Sequence, residues 1–184
     1  MTEPSESVTS TGRIAALLVD LGSDSAATRN RAHQELVSLR KAAINPLIGA
    51  LRTSTEYGRG QAAKALGEIG DVSAAPALAK ALADDKFDVR WLAARAVVAL
   101  GRTGLSALMQ ALIERPDSTL LRESAHHVLH DEAHEKWNNQ LVPVIQALEG
   151  SDPEAEAPVA AMKALQAIRN QPTRPTMKAG GESR

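Results

Sequence analysis

Apolar residues recur along the chain at helical spacing, in paired stretches. The first member of each pair occupies residues 14–21, 44–51, 75–82, 105–112 and 141–148. The second member begins with Arg in the first four pairs, with Ala three residues later and Leu or Val seven residues later. A period of three to four residues predicts amphipathic helices, each with one apolar face. The pattern therefore predicts a chain of helix pairs.

The second helices form an internal repeat. Arg29, Arg59, Arg90 and Arg122 open four copies, which are separated by 30, 31 and 32 residues. A fifth copy is degenerate, with Pro158 in the place of Arg. Repeats of this length indicate a solenoid, whose units bury their apolar faces against their neighbours and whose terminal units are atypical. We therefore predict an all-α solenoid of about five helix pairs.

The solenoid is expected to span residues 13–169. Residues 1–12 are rich in Ser, Thr and Glu, with neither a basic start nor an apolar run. This composition predicts a disordered N-terminal tail and argues against a signal peptide or anchor. Residues 170–184 combine Pro and Gly with basic side chains and predict a flexible C-terminal tail.

Helix boundaries are marked by capping residues. Ser, Thr and Asp precede most of the second helices, at 23–25, 54–55, 84–85 and 117–118, where their side chains can accept bonds from the first free N–H groups. Gly67, Gly70, Gly101 and Gly104 supply breaks near the ends of second helices.

One segment carries a family resemblance. Residues 59–71 read Arg-Gly-Gln-Ala-Ala-Lys-Ala-Leu-Gly-Glu-Ile-Gly-Asp, followed by Ala-Pro-Ala-Leu at 75–78 and Asp-Val-Arg at 88–90. These segments resemble the HEAT-repeat family, specifically its phycobilisome-lyase-like branch, and the resemblance extends from Arg13 to Arg169. It implies that the second helices line the concave side of the solenoid. It implies no particular activity, because one fold supports many functions.

Helical spacing divides the second helices into two faces. The predicted core face consists of Val89, Ala93, Ala96, Val97 and Leu100 in the third repeat, and Leu121, Ala125, Val128 and Leu129 in the fourth. The opposite face carries six residues that we name the groove stripe: Trp91, Arg95, Glu123, His126, His127 and His130. Trp and Arg often dominate binding energy at interfaces. The groove stripe is therefore predicted to bind a protein or peptide partner.

The histidines of the fourth repeat are also candidate metal ligands. His126, His130 and His134 succeed one another at intervals of four residues, which places imidazoles on one helical face where two could ligate zinc or iron. A third ligand would be needed, and Glu123 and Asp131 are candidates. The alternative, which we favour at this point, is a solvated histidine-rich helix end.

Two enzymatic alternatives come from related HEAT proteins. Bilin lyases imply a groove that holds a tetrapyrrole, but the chain is only 2% aromatic. Similarity to deoxyhypusine hydroxylase would imply His-Glu dyads directly after the repeat Arg, where this chain has Asn-Arg, Gly-Gln, Trp-Leu and Glu-Ser. Phosphate-binding loops, nucleophile elbows and cysteines are missing from the sequence. We therefore expect a scaffold or adaptor without a cofactor, and keep a metal- or tetrapyrrole-handling protein as the alternative.

Charge narrows the choice of partner. Lys and Arg total 21 against 22 Asp and Glu, giving a formal charge of −1. A balance of this kind does not favour nucleic acid or an anionic membrane as the partner. The repeated Arg is accordingly interpreted as structural, bonded to acidic or carbonyl groups of the adjoining turn. The candidate partners are Asp24, Glu56, Asp88 and Asp117. The expected location is the cytoplasm.

Overall fold

The computed structural model describes residues 5–130 and 138–170, and these residues form helices without any strand. The α-helices in the described ranges are α1 (Ser5–Leu21), α2 (Ala26–Ser38), α3 (Lys41–Thr53), α4 (Glu56–Ile69), α5 (Ala75–Ala81), α6 (Phe87–Ala99), α7 (Gly101–Glu114), α8 (Thr119–Leu129), α9 (Asn138–Glu149) and α10 (Pro153–Asn170). A short 3₁₀ turn, Val72–Ala74, precedes α5. None of the helices in this part of the chain is long and apolar enough to span a membrane.

The helices form pairs that stack in two layers. Each odd-numbered helix packs against the even-numbered helix that follows it. The first helices α1, α3, α5 and α7 contact one another in succession, and the second helices α2, α4, α6 and α8 do the same. The prediction of an all-α solenoid of about five helix pairs is confirmed.

Capping side chains fix where several second helices begin. Ser25, Thr55 and Ser118 are the N-caps of α2, α4 and α8, and each accepts a bond from the backbone N–H three residues later. These bonds satisfy donors that lack a partner within the helix. At the other end of α4, Gly70 adopts a left-handed conformation (φ 72°), which a glycine adopts without strain.

The core lies between the two layers and follows the predicted face. All nine residues assigned to the core faces of the third and fourth repeats are buried. Most of the buried positions hold Ala and Leu, so neighbouring helices are separated by small or unbranched side chains. The burial of so many methyl and methylene groups supplies the main driving force for stacking.

The second and third repeats approach one another especially closely. A Cβ atom placed on Gly67 of α4 would lie 2.8 Å from the Ala96 Cβ of α6 and 3.0 Å from its Cα. A Cβ on Gly60 would lie 3.1 Å from a methyl carbon of Leu92. Glycine at these two positions therefore allows α4 and α6 to pack almost backbone to backbone.

The fifth pair is arranged differently from the other four. Its second helix, α10, packs against α7, which is a first helix, while its first helix, α9, contacts α8, which is a second helix. The Arg102 guanidinium of α7 donates to the carbonyls of Ile168 (2.5 Å) and Arg169 (2.9 Å) near the end of α10. These carbonyls belong to the last turn of α10. The carbonyl groups of a last turn find no N–H donor within their own helix, so Arg102 satisfies two of them. In the fifth pair the two helices are therefore exchanged: the second helix joins the layer of first helices, and the first helix contacts the layer of second helices.

The ends of the helical region differ slightly from the expected boundaries. Helix α1 begins at Ser5, inside the segment predicted as an N-terminal tail, because Ser, Thr and Glu lower helix stability only modestly and do not stop a helix. Helix α10 ends at Asn170. Apart from Asn170, the predicted C-terminal tail lies outside the described residues.

Replacing Gly67 with Ala should test the close approach of α4 to α6. We expect Gly67→Ala to lower the free energy of unfolding by about 1–3 kcal/mol, because the new methyl group overlaps Ala96. The matched control is Gly49→Ala, since a Cβ there meets nothing within 4 Å. At Gly49 the better helix propensity of Ala should raise stability by up to about 1 kcal/mol. Urea unfolding of both variants measures the difference, and equal stabilities would contradict the packing.

Candidate functional site

A cavity lies between α6 and α8, on the face that carries the groove stripe. Its volume is about 250 Å³, and its walls are Phe87, Arg90, Trp91 and Ala94 from α6, and Glu123, Ser124 and His127 from α8. The structure therefore brings Trp91, Glu123 and His127 of the groove stripe together. The indole of Trp91 is held at the cavity but remains 41% exposed, so it is accessible from solvent.

Arg95 lies beside this cavity and contacts Trp91. The centre of its guanidinium is 5.0 Å from the centroid of the Trp91 ring, a distance at which a cation is attracted to the ring face. Arg95 also lines a smaller cavity of about 180 Å³ between α4 and α6, together with Lys64 and Glu68. The Arg95 guanidinium therefore lies between the two cavities, on the surface formed by the second helices.

His126 and His130 belong to a separate cluster. Both face Glu149 at the end of α9, whose Oε1 atom is 2.8 Å from His126 Nε2 and 3.7 Å from His130 Nε2. The two imidazole centroids are 4.5 Å apart. The hydrogen bond to His126, together with the positive charge that both histidines can carry, lowers the pKa of the Glu149 carboxyl. The groove stripe is therefore divided between the cavity and this cluster.

The third member of the cluster is not one that the sequence indicated. Of the two proposed third ligands, Glu123 lines the cavity instead, and Asp131 lies outside the described residues. His134, the remaining metal candidate, also lies outside them. Glu149 is 19 residues further along the chain than His130 and follows an apolar stretch, so no local spacing relates it to the histidines. Its place follows from the exchanged fifth pair, which brings α9 against α8.

Phe87 was also missed by the sequence interpretation. It stands at the start of α6, and its ring is 67% exposed at the mouth of the cavity. It lies outside the periodic apolar pattern because it is the first residue of its helix. The signal that could have drawn attention to it is its rarity, since it is the single Phe of a chain with few aromatic residues.

The fifth histidine, His33, is buried in a contact between two helices. It occupies in the first repeat the place that His126 has in the fourth, but it is buried, and its Nε2 is 2.9 Å from Glu68 Oε2 of α4. This contact joins α2 to α4 across the layer of second helices. The resemblance between the two histidine positions therefore reflects a shared way of bonding to a neighbouring helix.

The four repeated arginines hold the turns that precede the second helices. The guanidinium groups of Arg29, Arg59 and Arg90 donate to backbone carbonyls of Ser23 and Asp24, of Ser54, and of Asp84 and Asp85 respectively, and that of Arg122 donates to Pro116. The expected bonding to turn carbonyls is thus seen in each of the four copies that carry Arg. Of the four candidate partners only Asp24 is among these carbonyl acceptors; the turn residues that replace Glu56, Asp88 and Asp117 lie earlier in each turn. These guanidinium groups are half-buried and already bonded to turn carbonyls. They are therefore poorly placed to bind the phosphates of a nucleic acid.

Arg59 makes an additional paired contact. It donates from Nε and Nη2 to both carboxylate oxygens of Asp84, at 2.7 and 2.8 Å, which links α4 to the turn before α6. The Arg59 side chain is 18% exposed and that of Asp84 10%. Burial alone would raise the pKa of Asp84, but the hydrogen bonds from Arg59 and from the Lys86 backbone outweigh it and hold the pKa below its ordinary value.

The fold and the repeated turn-binding arginine define an α-solenoid repeat protein. The family model for HEAT repeats matches the chain over residues 14–99 and again over residues 44–130. Together these matches cover more than half of the chain, so the chain belongs to the HEAT-repeat family. A comparison with curated proteins gives no significant match.

Removing Asp84 should destabilise the protein in a pH-dependent way. Asp84→Ala leaves the half-buried Arg59 without its paired acceptor, and we expect a loss of about 2–3 kcal/mol at pH 7. The matched control is Asp85→Ala, whose carboxylate also contacts Arg59 but is 71% exposed, and its cost should stay below about 1 kcal/mol.

The pH dependence follows from the lowered pKa of Asp84. A carboxyl whose pKa is lower in the folded chain stabilises the fold above the unfolded-state pKa, and this contribution is lost as the pH falls through the folded-state pKa. Urea unfolding between pH 7 and pH 2.5 should therefore show the gap between wild type and Asp84→Ala closing at the acid end. A gap that is constant with pH would contradict the ion pair.

Proposed function

We propose that the protein is a cytoplasmic adaptor, in which the concave side of the solenoid binds a protein or peptide partner through the groove stripe. The observation that carries the proposal is the cavity between α6 and α8, where Trp91, Glu123 and His127 come together. Membership of the HEAT-repeat family supports it, because stacked helix pairs offer extended surfaces to partners.

The chemistry of the cavity suits a large apolar side chain with polar groups beside it. Phe87, Trp91 and Ala94 supply apolar walls, and two of these are exposed aromatic rings. At the rim, the Glu123 carboxylate forms no ion pair or hydrogen bond with any described residue. Arg95 contacts Trp91 and forms no ion pair within the same ranges. One unpaired charge of each sign is therefore free to bond with groups that flank an inserted side chain.

The size of the cavity favours this use over tetrapyrrole binding. Pockets for small molecules and cofactors have volumes of about 300–1,000 Å³. The cavity beside Trp91, at about 250 Å³, falls below that range and is open to solvent. We propose that the chain shares its repeat architecture with the phycobilisome-lyase-like branch and uses it for protein binding without bilin attachment.

A double substitution in the cavity should weaken partner binding. We expect Trp91→Ala/His127→Ala to reduce affinity by more than about 1 kcal/mol, because it removes an aromatic anchor and one wall of the cavity. A partner is first identified by affinity capture with the wild-type chain, and its affinity is then measured by isothermal titration calorimetry.

The matched control for this experiment is Tyr57→Ala. Tyr57 is another exposed aromatic residue, at the start of α4, and it packs on Arg29 away from the cavity. It should leave the affinity unchanged. Circular dichroism checks that all variants keep their helical content. Equal affinities of the double variant and the wild type would rule out the groove stripe as the binding surface.

A further inference from the structure

The cluster of His126, His130 and Glu149 has the composition of a metal site. Each residue offers one ligand atom, and the three atoms lie within 4.8 Å of one another. His126 lies in the last turn of α8, His130 follows that helix directly as its C-terminal cap, and Glu149 is the last residue of α9. Two imidazoles and a carboxylate form a common ligand set for zinc, which prefers nitrogen together with oxygen or sulfur.

The two distances that join Glu149 to the histidines are close to those that zinc requires. Tetrahedral coordination with bonds of about 2.0–2.2 Å places ligand atoms about 3.3 Å apart. The observed separations from Glu149 Oε1 are 2.8 Å to His126 Nε2 and 3.7 Å to His130 Nε2, on either side of that value. All three ligand atoms lie within 4.8 Å of one another, so side-chain rotations that move them by about 1 Å would bring them to one ion.

We propose that His126, His130 and Glu149 bind a zinc ion that fastens α9 to α8. In the free protein, a contact of 2.8 Å joins His126 Nε2 and Glu149 Oε1 directly. Zinc inserts between these two atoms and binds both, and His130 Nε2 completes a set of three protein ligands. The ion leaves the carboxylate ionised and both imidazoles neutral.

The exposure of the cluster indicates what kind of zinc site it forms. The side chains of His126, His130 and Glu149 are 42%, 53% and 53% exposed, so water reaches the ion directly. The fourth coordination position therefore holds water or a side chain of a binding partner. A hard cation such as Mg²⁺ prefers oxygen ligands and has little affinity for two imidazoles.

A metal at this position would strengthen a limited contact. Helix α9 packs extensively along α10 but meets α8 through few residues. The ion would tie the exchanged fifth pair directly to the fourth. This inference goes beyond partner binding. Although His126 and His130 also belong to the groove stripe, the two proposals are tested separately, because the cavity residues Trp91 and His127 take no part in the cluster.

The test is zinc binding by the full chain without a histidine tag. Competition with a chromogenic chelator should give one equivalent of zinc for the wild type. Glu149→Gln and His126→Ala/His130→Ala should each lower the affinity at least tenfold. Zinc should also raise the thermal unfolding midpoint of the wild type and leave that of Glu149→Gln unchanged, since only a ligand that binds the folded state stabilises it.

Glu149→Gln is the decisive variant, because it keeps all five histidines. It therefore distinguishes a specific three-ligand site from the general affinity of imidazole for zinc. Glu156→Gln, which removes an exposed carboxylate from neighbouring α10, should bind zinc like the wild type. Mg²⁺ should neither bind nor compete. Equal zinc affinities for the wild type and Glu149→Gln, or no stoichiometric zinc in the wild type, would overturn the proposal.

Discussion

The structure depends on the close stacking of helices that are built from small residues. A single helix pair of this chain cannot enclose its apolar face, so each pair needs its neighbours to form a core. Alanine and glycine on the facing sides of α4 and α6 allow the two backbones to approach closely, and Gly67 against Ala96 is the tightest point. The repeated arginines add a polar restraint, because each one ties the start of a second helix to the turn before it. Packing and turn geometry together set the angle at which each repeat meets the next.

This stacking places the side chains of the proposed binding surface. Because α6 and α8 are neighbours in the layer of second helices, residues one repeat apart face a common cavity, and Trp91 meets Glu123 and His127 there. The histidines on the other flank of α8 turn toward the next helix in space, which is α9. One short helix thus contributes to two different surfaces, an apolar depression on one side and a nitrogen-rich cluster on the other.

Features that repeat, or that depend on local periodicity, could be read from the sequence. The helix pairs, the buried face at Val89, Ala93 and Val97, and the capping roles of Ser25 and Ser118 follow from spacing within one repeat. The partner of His126 could not be read in this way. Glu149 reaches it only because the last pair exchanges its helices, and that arrangement depends on how α10 packs on α7 rather than on any local signal.

Successive second helices do not pack equally closely, and this difference has a mechanical consequence. Where α4 and α6 meet nearly backbone to backbone, any tilt between them would force atoms to overlap, so this part of the solenoid is stiff. Helices α6 and α8 are less tightly packed, and the cavity between them, at about 250 Å³, is larger than the cavity of about 180 Å³ between α4 and α6. Elastic deformation costs least energy at that junction, so we expect the superhelix to bend there and alter its curvature. The cavity beside Trp91 would then widen or narrow with the bending, and its shape would follow the overall curvature of the molecule.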